Sequence, residues 1–225
     1  DRQTGQVGQA ADLDGTNEYV TTTFNQTLTS STWSLWMRTD GTQGGYDGLV
    51  FSRSAAVTGI GFNSGGTALG YHWNGGAPSY SWAGGPTAPV NQWFMASLVV
   101  EPTRATVYAH ATSGVTSGVN TIAHTSSLIN NLQFGQDSAG GRLFNGMVDE
   151  IRLSNVARSA GWLGTEYNNK ASSTSFYSVE ASEVPFVRTF TDTNATILGN
   201  LVTETGGDTT FPTGVLSVAG SFTNN

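Results

Sequence analysis

An all-β sandwich is the fold class this sequence predicts, on three observations. Only 11% of the 225 residues are charged and 29 are glycine, with serine, threonine and asparagine abundant, a composition suited to many turns. Short apolar stretches alternate at the two-residue period of a strand, and clusters of Gly, Asp, Asn or Pro separate them. One segment alone, Ser159 to Asn169, reads as a helix. The expectation is a two-sheet antiparallel jelly-roll sandwich over residues 1–170, a linker over 171–187 and a β-rich extended segment over 188–225.

Taken in order, Ala10 to Val20 reads as a strand, a turn at Asp14-Gly15-Thr16-Asn17 and a second strand. In Trp33 to Arg38, Trp33, Leu35 and Met37 form the apolar face. Trp36 points the other way, into a groove or a second layer. A loop with four glycines spans Asp40 to Gly48. Strands follow at Leu49–Ser52, Gly59–Phe62 and Ala68–Trp73. Gln92 to Val100 is apolar on both faces, the mark of a central strand covered on both sides. Thr106–Ala109 is its hairpin partner, and Ile122 and Leu128–Phe134 supply further short strands. Ser159 can cap the helix, with Trp162, Leu163 and Tyr167 packing onto the sandwich. The tail carries apolar pairs among Thr, Gly and Asn, too little to fold alone. It is expected either to open a β-repeat domain or to dock on a neighbour as an arm.

A net charge of −7 and a pI near 4.7 argue against a nucleic-acid partner. The chain has no cysteine, so it has neither disulfides nor thiolate metal sites. No apolar run is long enough for membrane insertion, and no signal peptide is recognisable. The opening at Asp1 reads as a mature or excised part of something longer.

The stretch Phe144–Arg158 poses the main chemical question. Strict alternation puts Met147, Asp149, Ile151 and Leu153 on one face and Val148, Glu150 and Arg152 on the other. A carboxylate among three apolar side chains must be hydrogen-bonded, ion-paired or bound to a metal.

Several stretches together resemble the laminin-G-like, concanavalin A-like lectin/glucanase jelly-roll family. They are Gly8 to Val20, Trp33 to Arg38, Gln92 to Met95, Phe134-Gly135-Gln136 and Phe144 to Arg158, whose Gly-apolar-apolar-Asp-Glu-apolar-Arg core looks like the family's closing strand. The resemblance covers residues 5 to about 170. It implies two antiparallel sheets and one structural calcium, in a module that commonly binds glycans or proteins without catalysis. In the family's manner Asp14 and Asp149 would meet at the ion, with backbone oxygens near Gly15 and Asn17 completing the shell. The alternative is that Asp14 makes an Asx-turn and Asp149 accepts backbone amides.

Glucanases of this fold carry paired carboxylates on one strand face. Here Asp149 and Glu150 are adjacent and no Glu lies two residues from Asp149, so the expectation is not an enzyme, with a sandwich glycosidase disfavoured. Tyr71, His72, Trp73, Asn74, Tyr80 and Trp82 crowd one Gly/Pro-rich stretch and form the expected ligand-binding surface. Their alternative role is sandwich core or an assembly interface. The function expected is adhesion or glycan recognition by an extracellular or cell-surface module, with a glycan or surface protein as partner. The alternative is a structural subunit of a filament, sheath or matrix, a homo-oligomer through residues 188–225.

Overall fold

In the computed structural model the described residues are 1–53 and 56–172, with the backbone of short strands between 188 and 224. The chain divides into two units, Asp1–Phe176 and Tyr177–Asn225. Most of the expected linker at 171–187 lies outside the described residues.

In the first unit the strands are β1 (Arg2–Thr4), β2 (Gln9–Asp14), β3 (Val20–Thr21), β4 (Asn25–Leu28), β5 (Ser31–Thr39), β6 (Gly48–Ser52), β7 (Thr58–Phe62) and β8 (Leu69–His72). After the one-turn helix α1 (Ala77–Tyr80) come β9 (Phe94–Glu101), β10 (Arg104–Ala111), β11 (Gly114–Asn120), β12 (Ser127–Asn130), β13 (Gln133–Phe134), β14 (Gln136–Asp137), β15 (Arg142–Leu143) and β16 (Asn145–Ser154). Helix α2 (Ala160–Ala171) closes the unit. One sheet runs β1-β2-β16-β5-β9-β10-β11. The other runs β14-β15-β6-β13-β3, with β7 and β8 added beside β6. Nearly every pairing is antiparallel, so the fold is the expected sandwich.

The core follows from the alternation. Trp33, Leu35 and Met37 of β5 and Phe94, Ala96 and Leu98 of β9 face Leu49, Ile60, Leu69 and Tyr71 of the opposite sheet. The other face of β5 and β9 is also buried, because α2 lies on it. Trp36, Met95 and Val99 enclose Leu163 there, and Tyr167 stacks on Trp36 with ring centroids 5.0 Å apart. Trp36 thus meets a second layer. Ser159 caps α2 by accepting a hydrogen bond from the Trp162 amide at 3.2 Å. Glu166 is buried beneath the helix and accepts from Ser34 Oγ, Arg152 and Lys170.

Strand β16 corrects the strict alternation. The register pairs Val148 with Met37 and Asp149 with Trp36, then shifts so that Arg152 pairs with Ser34 and Leu153 with Trp33. A β-bulge centred on Glu150, at φ 50°, inserts one extra residue. Val148 is therefore inward before the bulge, and Ile151 and Leu153 pack on the core after it. Asp149 and Arg152 both face outward. The carboxylate does not share a face with Ile151 and Leu153.

The second unit has a different logic. Its strands pair in parallel: Arg188–Thr189 with Thr209–Thr210, Ala195–Ile197 with Leu216–Val218, and Leu201–Thr203 with Phe222–Asn224. Each pair is offset by 21 residues, since Arg188 meets Thr209, Ala195 meets Leu216 and Leu201 meets Phe222. Three parallel pairs at one offset have the register of two successive 21-residue repeats. The sequence repeats weakly at the same interval, with Thr189-Phe190 and Thr210-Phe211, and Gly199 and Gly220. The side chains of 188–225, on which both expectations for the tail depend, lie outside the described residues.

Candidate functional site

The outer face of the second sheet carries the candidate site. On β8, Tyr71 points into the core and His72 points out. On β7, Ile60 and Phe62 point inward, leaving Gly59 and Gly61 outward. Phe51 lies across those glycines. A Cβ at Gly59 would sit 2.2 Å from the Val50 carbonyl oxygen, and one at Gly61 would sit 2.8 Å from the Phe51 ring. The glycines thus let an aromatic ring lie flat on the sheet, and His72 abuts it edge-on at 5.3 Å.

Around this floor Tyr46, Arg53, Val57, His72, Gly75, Tyr80 and Arg142 line a cavity of about 240 Å³. Tyr80, on α1, stacks on His72 at 5.3 Å and is 41% exposed. The loop before α1 is fixed by its own hydrogen bonds. The Ser79 hydroxyl donates to Gly76 O and accepts from the Trp73 amide, and the Gly75 amide donates to Val57 O. Tyr46 forms the opposite rim. Its φ is 66°, in the left-handed region that a bulky side chain rarely adopts. Such a conformation costs about 1–3 kcal/mol and persists only where surrounding contacts impose it. Here the Tyr46 amide donates to Asn63 O at 3.0 Å, and the buried Asp47 carboxylate accepts from the Gly44 amide.

The charged wall is built from three distant segments. Asp137, with a fully buried side chain, accepts from Arg53 Nε and Nη2 and from Arg142 Nη1. Burial pushes its carboxyl up, but the two guanidinium groups outweigh this and hold it below the usual carboxylate range. The Arg142 guanidinium sits 4.8 Å over the Tyr46 ring. Burial lowers His72 to about 4, with Asp137 opposing and the two arginines reinforcing, so the imidazole is neutral near pH 7. Among the described residues no carboxylate lines the cavity.

The six expected ligand-binding residues separate. His72 and Tyr80 line the cavity. Tyr71 and Trp73 are core side chains, 1% and 3% exposed, and cannot present a face to a ligand. Tyr71 Oη bonds His124 and Asn120, and burial pushes its hydroxyl up to about 12. Trp73 Nε1 donates to Thr125 O. Trp82 is half-buried edge-on against Tyr71. Asn74 is exposed and donates to Thr125 Oγ1. Tyr46, Arg53 and Arg142 are additional lining residues that sequence reasoning missed.

The expected calcium set does not converge. Asp14 Oδ1 accepts from the amides of Thr16 and Asn17, an Asx-turn beside Gly15. Asp149 Oδ2 accepts from the Val7 amide at 2.9 Å. Asp14 lies opposite Asn145 in the β2–β16 register, and Asp149 is four residues further on, about 13 Å along the strand. One ion cannot bridge that separation. Among the described residues no three carboxylate or imidazole groups are placed to chelate. Nor do Asp149 and Glu150 form a catalytic pair, because Glu150 is bound to Arg152 and Lys170.

A second, larger cleft of about 560 Å³ lies beside α2, lined by Phe24, Gln26, Arg152, Arg158 and Trp162 among others. Its groups are already engaged. Arg158 covers the Trp162 ring at 4.9 Å, and Arg152 pairs with Glu150 and Glu166.

A laminin-G family model, described as the concanavalin A-like lectin/glucanases superfamily, matches residues 14–163. Among solved structures the chain is similar to domain 4 of AbnA, a GH43 extracellular arabinanase from Geobacillus stearothermophilus, in complex with arabinotriose. Identity is 19%, the TM-score is 0.56, and 74% of this chain and 80% of that chain are covered. It is similar also to the heptameric SAP-like pentraxin of Limulus polyphemus, at 16% identity and TM-score 0.52 over 68% of this chain and 79% of that one. The binding domain of botulinum neurotoxin serotype G aligns at 12% identity and TM-score 0.53, over 75% of this chain and 44% of that one. At such identities the likeness is one of fold. No curated protein sequence matches the chain.

Proposed function

The chain belongs to the concanavalin A-like lectin/glucanase superfamily, and from that premise we propose that it is a non-catalytic carbohydrate-recognition module of an extracellular or cell-surface protein, binding at the Tyr46–Tyr80 cavity. The observation that carries this reading is the cavity itself. Aromatic rings at Tyr46, His72 and Tyr80 stand beside two guanidinium groups on a rigid glycine-floored sheet. Sugars are held by such a combination of ring faces and fixed polar donors. The strained Tyr46 supports it, because backbone strain of this kind concentrates at functional sites. Glycoside hydrolysis needs two carboxyl groups flanking the bond, and none among the described residues lines this cavity. In the arabinanase, the similar fold is found in complex with arabinotriose.

The test is a glycan array probed with the full chain and with Tyr80→Ala. Tyr80 is exposed on a surface helix, so its loss leaves the fold intact. Binding by the native chain that disappears in the variant supports the reading. A silent array, or signal unchanged in Tyr80→Ala, sinks it.

The alternative is assembly through residues 188–225, which the three parallel strand pairs there support. Parallel β-repeats bury their faces by stacking on neighbours, so strand pairs of this kind suit a further strand from another copy. Light scattering separates the readings: a monomer at all accessible concentrations removes this one.

A further inference from the structure

Arg53 and Arg142 give the cavity a polarity at odds with the rest of the molecule. The chain carries a net charge of −7, with nine basic residues in all. Two of the nine line this one cavity, and among the described residues no carboxylate lines it with them. Asp137 lies beneath them with no exposed surface, so a ligand meets the guanidinium groups and not their counter-ion. Each guanidinium has five N–H donors. Asp137 takes two from Arg53 and one from Arg142. Most of the donors are left to point elsewhere, and the side chains remain 25% and 30% exposed. The buried Asp47 carboxylate, the other acid near Arg142, is turned to the Gly44 amide and lies outside the lining.

The pair is also held in place before any ligand arrives. Arg53 is clamped two-pronged by Asp137, and Arg142 is pinned between Asp137 and the Tyr46 ring. A fixed guanidinium loses little entropy on forming a further hydrogen bond, and its planar fork matches a carboxylate. Tyr80 and Tyr46 line opposite rims of the cavity, one face of Tyr80 stacked on His72 and one face of Tyr46 under Arg142, so the sugar that bears the acid packs against their remaining ring surface.

We propose that the cavity selects acidic sugars, with the carboxylate of a uronic acid bound by Arg53 and Arg142 and the pyranose ring lying between Tyr46 and Tyr80. This rests on the carbohydrate reading above and names its ligand class. The neutral His72 in the cavity lining offers one N–H donor and one acceptor nitrogen to the sugar.

Calorimetry with the full chain tests it, using three probes on one backbone: short galacturonan fragments, the same fragments carboxyl-reduced to galactan, and galactan carrying sulfate esters. The expected result is binding of the acidic fragments at least about tenfold tighter than the reduced ones, a gap of ~1.4 kcal/mol. Raised salt should narrow that gap. The gap should close in Arg142→Gln and partly return in Arg142→Lys, which keeps the charge but loses the fork. Circular dichroism of both variants checks that the sandwich still folds. Equal affinity for acidic and reduced fragments overturns the acidic selectivity and leaves carbohydrate binding standing. Sulfated galactan binding as tightly as galacturonan overturns the assignment to a carboxylate. Failure of all three probes overturns the inference, and only the silent array described above would extend that failure to the carbohydrate reading.

Discussion

Lowering the pH should weaken the sandwich through His72, by an amount that can be worked out. The folded imidazole titrates at about 4 and the unfolded one at the ordinary 6.5, because burial at 7% exposure disfavours the cation. Between those values the unfolded chain binds more protons than the folded one, so stability falls as pH falls. Going from about pH 7.5 to about pH 5, the contribution of His72 is ~2 kcal/mol, approaching ~3 kcal/mol below pH 4. His110 and His124 are also lowered by burial and add in the same direction. The comparison therefore needs His72→Gln beside the native chain. All six tryptophans lie in the Asp1–Phe176 unit, so fluorescence-monitored urea unfolding reports that unit alone. Native stability should drop by ~2 kcal/mol more than that of the variant over the same pH interval. Identical pH slopes in the two proteins would refute the placement of a neutral imidazole at the cavity floor.

Asp137→Asn should cost about 3 kcal/mol in the same unfolding assay, because it strands two guanidinium groups around a buried amide; a loss below about 1 kcal/mol would mean the arginines find other partners. Tyr46→Asn replaces a strained bulky residue with one that tolerates the left-handed region, so the thermal midpoint should hold or rise while glycan binding falls. A lowered midpoint would show that the Tyr46 ring contributes more than its backbone costs. Leu163→Ala removes the fully buried anchor of α2 and should cost ~2–5 kcal/mol, read by urea unfolding.

Much of the sandwich was legible because its strands alternate plainly. Trp33-Leu35-Met37 and Ile60-Phe62 declare their inward faces by period alone. The doubly buried strand β9 was legible for the opposite reason, an apolar run without alternation. Closing strand β16 was misread past Asp149, since a bulge inserts a residue without a sequence mark of its own: Glu150 is not a glycine, and nothing nearby signals its positive φ. The binding stretch was half legible. Parity grouped Tyr71 with Trp73, and that shared face proved to be the core; the residue between them, His72, reached the cavity. Arg53, Asp137 and Arg142 were invisible as a unit because they come together only through the β6–β15 and β14–β15 pairings. Tyr46 had one available signal, a bulky aromatic in a loop otherwise rich in glycine. The 21-residue period of the second unit rests on a few matched positions, too sparse to read without the parallel register.

Which surface of the sandwich meets the sugar is open to direct measurement. Affinity for one array-positive oligosaccharide, measured by calorimetry in Tyr80→Ala and in Trp162→Ala, decides it. Both rings are about equally exposed, at 41% and 39%, but Trp162 lies in the other cleft. Tyr80→Ala is expected to weaken binding by more than tenfold, ~1.4 kcal/mol, while Trp162→Ala is expected to bind as the native chain does. Loss of binding in Trp162→Ala with Tyr80→Ala unaffected would contradict binding at the Tyr46–Tyr80 cavity.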